Sequence, residues 1–230
     1  MHINHFDIDN GVAGFSQKDF RLKRHAHFPI EVVFTLSGQV SINTDIHQYT
    51  NIQSAIINSN VPHTFSCLNG NCQLYFIDPT SFTGKDILKC YLGHGEDMAL
   101  IDMVEPEQFK ENHILAFENK NSGSRDMDCR VQHCMDWIKA NYSVDGINIS
   151  MLSEIVFLSE SRLAHLFKKQ VGIAVHQYIL WKKVEMAIKH AMEGFSLTDC
   201  AYSSGFADSS HFVKTFQQMF GIYPSFAIKK

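Results

Sequence analysis

The chain has 230 residues, 45% of them apolar and 18 of them Phe, which is enough to bury the cores of two ordinary domains or one large one, so disorder is not the expectation. The formal net charge of −4 excludes a protein that is basic throughout, yet it is unevenly spread: residues 1–127 hold 9 Lys+Arg against 15 Asp+Glu, and residues 128–230 hold 11 against 9. No apolar run reaches the roughly 18 residues of a membrane span, the first residues lack the basic and apolar segments of a signal peptide, and the six cysteines are expected as reduced thiols, all of which points to a cytoplasmic protein with no membrane partner.

From about His5 to Pro79 short apolar runs alternate with Asn, Ser, Gly and Pro. Glu31–Leu36, Val40–Ile42, Ser54–Ile57 and Gln73–Ile77 are β-rich and bounded by turn signals, which predicts a small all-β sandwich or barrel. Within it, His25, His27 and Glu31 share parity, so one extended strand would turn all three the same way, with Pro29 interrupting the regularity. His63 follows a proline further on. Histidines and a glutamate converging inside a barrel can bind Zn, Fe or Mn, and polar residues there can equally hold an organic effector. The segment His25-x-His27-x3-Glu31-x6-Gly38 resembles the first motif of the cupin family of small β-barrels, and Pro62-His63 falls where the second motif has its histidine. Further on, Asp86–Leu92 and Pro106–Phe117 read as helices, the latter with Pro106 at its start. Ile87, Leu88, Tyr91 and Leu92 make an amphipathic cluster suited to a homodimer face. Residues 119–127 are polar and aperiodic, as a linker is.

After residue 127 the apolar period becomes 3.6 and stays so, and the helical half contains an internal repeat. Ser159, Leu163, Phe167 and Gly172 recur 49 residues later as Asp208, Phe212, Phe216 and Gly221; Leu152-Ser153 and Phe157-Leu158 recur 48 residues later as Cys200-Ala201 and Gly205-Phe206. Each unit reads as a helix, a tight turn and a second helix, with Asn148 and Ser159 as caps in the first and Ser196 and Asp208 in the second. Between them Ala174–Glu193 has helical periodicity and would span about 30 Å, close to the roughly 34 Å between successive major-groove faces on one side of B-DNA.

The pattern Ser159-x3-Leu163-x3-Phe167-Lys168-x3-Gly172, then Tyr178, then Ala201-x3-Gly205-Phe206-x-Asp208-x3-Phe212-x3-Phe216-x4-Gly221-x2-Pro224 resembles the C-terminal domain of the AraC/XylS family of bacterial transcription regulators. The resemblance covers about Arg130 to Phe226. Four positions depart from the family pattern: Phe157 replaces the usual turn glycine, Lys183 stands where Arg is common, Gln217 replaces a common Lys, and the aromatic-Arg pair after Pro224 is missing. They bear on turn shape and phosphate contacts more than on the fold.

The expected fold is therefore two domains: an N-terminal all-β, cupin-like barrel with a few helices over 1–118, a linker at 119–127, and a C-terminal all-α double helix-turn-helix bundle over 128–230. On the helix from Ser159, residues Ser161, His165 and Lys168 project opposite the core, flanked by Arg162 and Lys169. On the helix from Asp208, residues Ser210, Lys214 and Gln217 do so, with Ser209 and Val213 at the edge. These side chains can donate to base edges or phosphates, and the family resemblance puts its groove-facing positions on the same surfaces. Lys182 and Lys183 read as phosphate contacts or solvated surface. The expectation is a regulator that binds double-stranded promoter DNA as a homodimer, is not an enzyme, and senses a small molecule or ion through His25, His27, Glu31 and His63, with a divalent metal (Zn, Fe or Mn) as one occupant. The alternative is a metal-dependent cupin enzyme with a helical appendage; a protein-interaction module is a third reading.

Overall fold

The computed structural model describes residues 2–7, 10–93, 96–101, 105–115, 127–144, 146–220 and 223–224. Residues 119–126 of the expected linker, and Gly221 and Phe226 of the family pattern, lie outside them. The chain divides into two compact units, Met1–Ser122 with Gln217–Phe226, and Gly123–Phe216 with Ala227–Lys230.

The first unit is built on one antiparallel sheet. Its strands are β1 (His2–Asp7), β2 (Val12–His25), β3 (Ile30–Thr44), β4 (Gln48–Thr50), β5 (Ser54–Ile57), β6 (His63–Ile77) and β7 (Met98–Leu100). They are ordered β1-β2-β6-β3-β5-β7, with β4 pairing β3. The runs Glu31–Leu36 and Val40–Ile42 belong to one strand, β3, continuous through Gly38, whose φ of 79° only glycine adopts at ease. Gly70 passes so close to it that a Cβ there would lie 2.0 Å from the Ser37 carbonyl oxygen.

The long strands curl. In the β3–β6 ladder Glu31 pairs with Phe76 and Thr44 with His63, and thirteen residues of straight strand between 63 and 76 would span about 43 Å at roughly 3.3 Å each. Yet Glu31 Oε2 lies 3.2 Å from His63 Nε2. The ladder must therefore bend back on itself, and the register shifts at Lys18/Phe20 and Leu22/His25 of β2 and from Thr35 to Gln39 of β3 provide the corners. The described sheet is a curled half-barrel.

Alternation along β3 sorts its residues between the two faces. Val12, Ile30, Val32, Phe34, Ile56, Tyr75 and Ile77 form a core with Ile87 and Leu92 from α1 (Phe82–Tyr91) and its end, and with Phe109 and Ile114. Phe109 ends α2 (Pro106–Phe109), which opens on Pro106 as expected and continues as a π-helical turn over Lys110–Ile114. Here an expectation is corrected. Leu88 and Tyr91 pack against this core and Ile87 is fully buried, so the cluster read as a dimer face is spent on the unit's own interior. The odd residues Glu31 and Val33 turn to the other, concave face.

The second unit is all helix: α3 (Cys129–Asn141), α4 (Ile149–Ile155), α5 (Glu160–Val171), α6 (Val175–Met192), α7 (Leu197–Ser203) and α8 (Ser209–Phe220). The caps are those expected. Asn148 accepts from the Met151 N–H, Ser159 from Arg162, Ser196 from Asp199, and Asp208 from His211. Leu152, Leu163, Phe167, Tyr178, Val184, Ile188, Cys200, Phe212 and Phe216 are buried, each worth about 1.5–3 kcal/mol for the larger side chains. At 18 residues α6 is about 27 Å long.

Candidate functional site

The expected groove-facing residues lie where the helical phase puts them. On α5, Ser161, Arg162, His165, Lys168 and Lys169 are all exposed; on α8, Ser210 and Lys214 are exposed, while Ser209, Val213 and Gln217 are half-buried. Ser161, His165 and Lys168 stand 49 residues before Ser210, Lys214 and Gln217, so the two faces are equivalent positions of one repeat. That equivalence adds a residue the sequence reading passed over: exposed His211, 49 residues after Arg162, with its ring 5.3 Å from that of Phe206. The repeat itself was the signal that would have found it.

Lys182 and Lys183 are corrected. Lys182 is only 5% exposed, its Nζ 2.8 Å from Glu185 Oε2 and over the Tyr178 ring. Lys183 Nζ donates to the Gly205 carbonyl in the second turn. Both cations face inward from α6, so neither is solvated surface.

In the first unit the four expected residues do converge, though not by the expected route. His25 ends β2, His27 sits in the connection, and Glu31 lies in β3, so a turn between two strands gathers them in place of a single strand. His63, opening β6, pairs with His25 across the sheet. Donor atoms of His25, His27 and His63 all lie within 4.8 Å of one another. His27 Nε2 is 3.1 Å and His63 Nε2 3.2 Å from Glu31 Oε2. The rings are packed, at 4.4 Å between the centroids of His25 and His63, and 5.1 Å between those of His27 and His63.

Each imidazole is held from behind. The Nδ1 atoms of His25, His27 and His63 lie 2.9, 2.8 and 2.9 Å from the carbonyl oxygens of Lys23, Pro29 and Val61. A carbonyl oxygen only accepts, so every Nδ1 carries a proton and every Nε2 is turned inward. Burial, with His63 beside it, pushes His25 down to about 4. Burial opposes ionisation of Glu31 as well, but hydrogen bonds and charge from His27 and His63 outweigh it and hold the carboxyl below the ordinary carboxylate range. For His63 burial is likewise outweighed, by Glu31, and the ring is raised above the usual imidazole value.

The six cysteines are free thiols, as expected, and no helix among the described residues is long and apolar enough to cross a membrane.

Repeated capped helix pairs with exposed polar second helices define a helix-turn-helix protein, and comparison with known proteins agrees. Residues 152–229 match the helix-turn-helix domain family. The chain is 35% identical over 80 residues to the probable transcriptional regulator LumQ of Photobacterium leiognathi, covering 34% of this chain and 32% of that protein. It is 31% identical over 104 residues to the arabinose operon regulatory protein of Escherichia coli, covering 43% and 34%. The chain thus spans about a third of the length of these relatives. Among solved structures, ToxT from Vibrio cholerae shares the fold over both units, with a TM-score of 0.59 at 14% identity, covering 93% of this chain and 95% of that one. A second ToxT structure, with an unsaturated fatty acid bound, gives 0.56 at 13% identity over 93% and 92%. The C-terminal half therefore holds a helix-turn-helix domain similar to that of the arabinose operon regulatory protein, following an N-terminal curled β half-barrel.

Proposed function

We propose that the protein is a sequence-specific DNA-binding transcription regulator whose state is set by a small molecule or ion taken up in the N-terminal, cupin-like unit. The observation that carries this reading is the repeat. Two exposed helix faces, Ser161/His165/Lys168 and Ser210/Lys214/Gln217, occupy equivalent positions in two capped helix pairs joined by α6. A double-stranded promoter with two major-groove segments on one face is the partner that needs such a pair. Arg162 and Lys169 flank the first face and supply phosphate contacts, while Ser209 and Val213 edge the second. In this reading 1–118 is the sensing and dimerising region, 119–127 the linker, 128–230 the DNA-binding region, and the protein is a cytoplasmic homodimer without catalytic activity. The relatives named above are regulators, and ToxT, which shares the fold, is known with an unsaturated fatty acid bound, which supports the idea of a small-molecule ligand here. A metal-dependent enzyme would account for the histidine cluster but has no use for the repeat.

The test is selection of genomic fragments by the purified protein, followed by a salt titration. With Arg162 and Lys169 on phosphates, these two contacts are expected to contribute about −1.8 to the log–log salt slope. Retention of every fragment equally, or of none, would remove the regulator reading.

A further inference from the structure

We propose that the exposed ring of Phe157, at the turn into the first reading helix, is a specificity-determining group that packs against the 5-methyl group of a thymine in the major groove. The proposal rests on the DNA-binding reading and adds to it a contact that the second helix pair does not make.

The case begins with the turn. α4 and α7 end in the same hydrogen-bond pattern. The Phe157 N–H donates to the Glu154 carbonyl at 3.3 Å and the Leu158 N–H to that of Ser153 at 3.0 Å. In the second copy the Gly205 N–H donates to the Tyr202 carbonyl and the Phe206 N–H to that of Ala201, both at 3.0 Å. Such a helix end needs one residue in the left-handed conformation, and glycine adopts it at least cost. Gly172, Gly194 and Gly205 take that place after α5, α6 and α7, at φ 91°, 90° and 74°, whereas after α4 it falls to Phe157 at φ 54°. The backbone bonds are complete with glycine, so the phenyl ring adds nothing to them, and at 93% exposure it gains almost no burial. The fold thus carries backbone strain for a side chain it does not use, and strain of this kind gathers at functional positions.

The surroundings of the ring point to what it meets. Ser159 caps α5 two residues further on, and the exposed Ser161 and Arg162 follow in the first turn of that helix. In a helix-turn-helix the N-terminal residues of the second helix reach the base edges, so the ring is continuous with the face assigned to DNA. Glu154 and Glu160, both exposed, flank it along the chain. Carboxylates repel phosphates, which turns the ring from the DNA backbone to the bases. The apolar group that bases present in the major groove is the thymine C5-methyl. The second pair has no counterpart. Gly205 offers no side chain, and a Cβ there would lie 3.0 Å from Ser143 Cα and 3.2 Å from the Tyr142 carbonyl oxygen. The two half-sites would therefore differ by one apolar contact.

The experiment is anisotropy titration of a labelled fragment selected by the wild-type chain, repeated with each thymine replaced in turn by deoxyuridine, which lacks only the 5-methyl group. Wild-type, Phe157→Gly and Phe157→Tyr chains are compared, with urea unfolding of each. Phe157→Gly is expected to bind the unmodified fragment about three- to tenfold more weakly although it is the more stable chain. One deoxyuridine position should weaken wild-type binding about fourfold and leave Phe157→Gly unchanged. Phe157→Tyr, which keeps the ring, should stay within about twofold of wild type and lose affinity at the same position. A purely structural role would move stability and affinity together and show no coupling to one methyl group. Phe157→Gly binding as tightly as wild type, or deoxyuridine effects of equal size in both chains, would overturn the proposal and leave the ring to a partner other than DNA. His165→Ala keeps the two readings apart. Selective binding that His165→Ala weakens and Phe157→Gly does not counts against Phe157 alone, whereas wild-type protein that selects no fragment removes the regulator reading and this contact with it.

Discussion

The two helix-turn-helix units are copies of one plan, and they differ most at their turns. In the second, Gly205 takes the left-handed conformation at φ 74°; in the first, the equivalent Phe157 takes it at φ 54° with its ring 93% exposed. A non-glycine residue held there costs about 1–3 kcal/mol, and an exposed ring returns little of that by burial. The first turn therefore keeps its shape because α4 and α5 impose it, whereas the second has the residue that prefers it. The second turn is also the more crowded. A Cβ on Gly205 would lie 3.0 Å from Ser143 Cα and 3.2 Å from both Lys183 Nζ and the Tyr142 carbonyl oxygen. Equal architecture is reached by tolerated strain in one copy and by glycine in the other, which shows that the core of each helix pair, more than its turn, defines the unit.

That comparison breaks most severely if the cores are opened. Phe167→Ala and Phe216→Ala remove fully buried rings at equivalent positions, and each is expected to cost about 3–5 kcal/mol in urea unfolding. A loss in one copy but not the other would show that the repeat does not share its energetics. Next come the exposed faces. His165→Ala and Lys214→Ala should each weaken binding to a selected fragment by about 1–3 kcal/mol, with folding unchanged. Loss from only one of them would reduce the reading surface to a single helix pair.

Smaller effects of opposite sign are expected at the turns. Phe157→Gly should raise stability by about 1 kcal/mol, and Gly205→Ala should lower it by about 1–2 kcal/mol. Matching signs in thermal unfolding would contradict the account of strain. The smallest effect lies at the N-cap of α3, where hydrogen bonds from the Arg130 side chain and backbone hold half-buried Asp128 down to about 2. A depressed carboxylate favours folding above its unfolded value near 3.9, so this contribution is lost as pH falls from there through about 2. Asp128→Ala should flatten that part of the acid-unfolding curve.

The helical half was legible in the sequence because its information is local. Caps, 3.6-residue spacing and a 49-residue repeat fix α4 to α8 residue by residue, and the structure moves few of them. Lys182 and Lys183 were misread because a cation in an amphipathic helix looks solvated until its partners, Glu185 and the Gly205 carbonyl, are known. The β unit was legible only in part. The fragments of β3 read as separate runs because Gly38 and the register shifts beside it look like chain breaks. His25, His27, Glu31 and His63 were singled out by residue type and spacing, yet their meeting depends on the curl of β3 and β6, a non-local property. The dimer cluster on α1 failed for a similar reason: an apolar stripe does not say whether its cover is another chain or, as here, Phe109 and Ile114.

The central claim is that two equivalent helix pairs read adjacent turns of the DNA groove, and footprinting of a selected fragment tests it most directly. The account predicts two protected major-groove patches on one face of the duplex, centred about 10–10.5 base pairs apart, with Lys214→Ala thinning one patch and His165→Ala the other. A single patch, or two patches that both survive both substitutions, would contradict it.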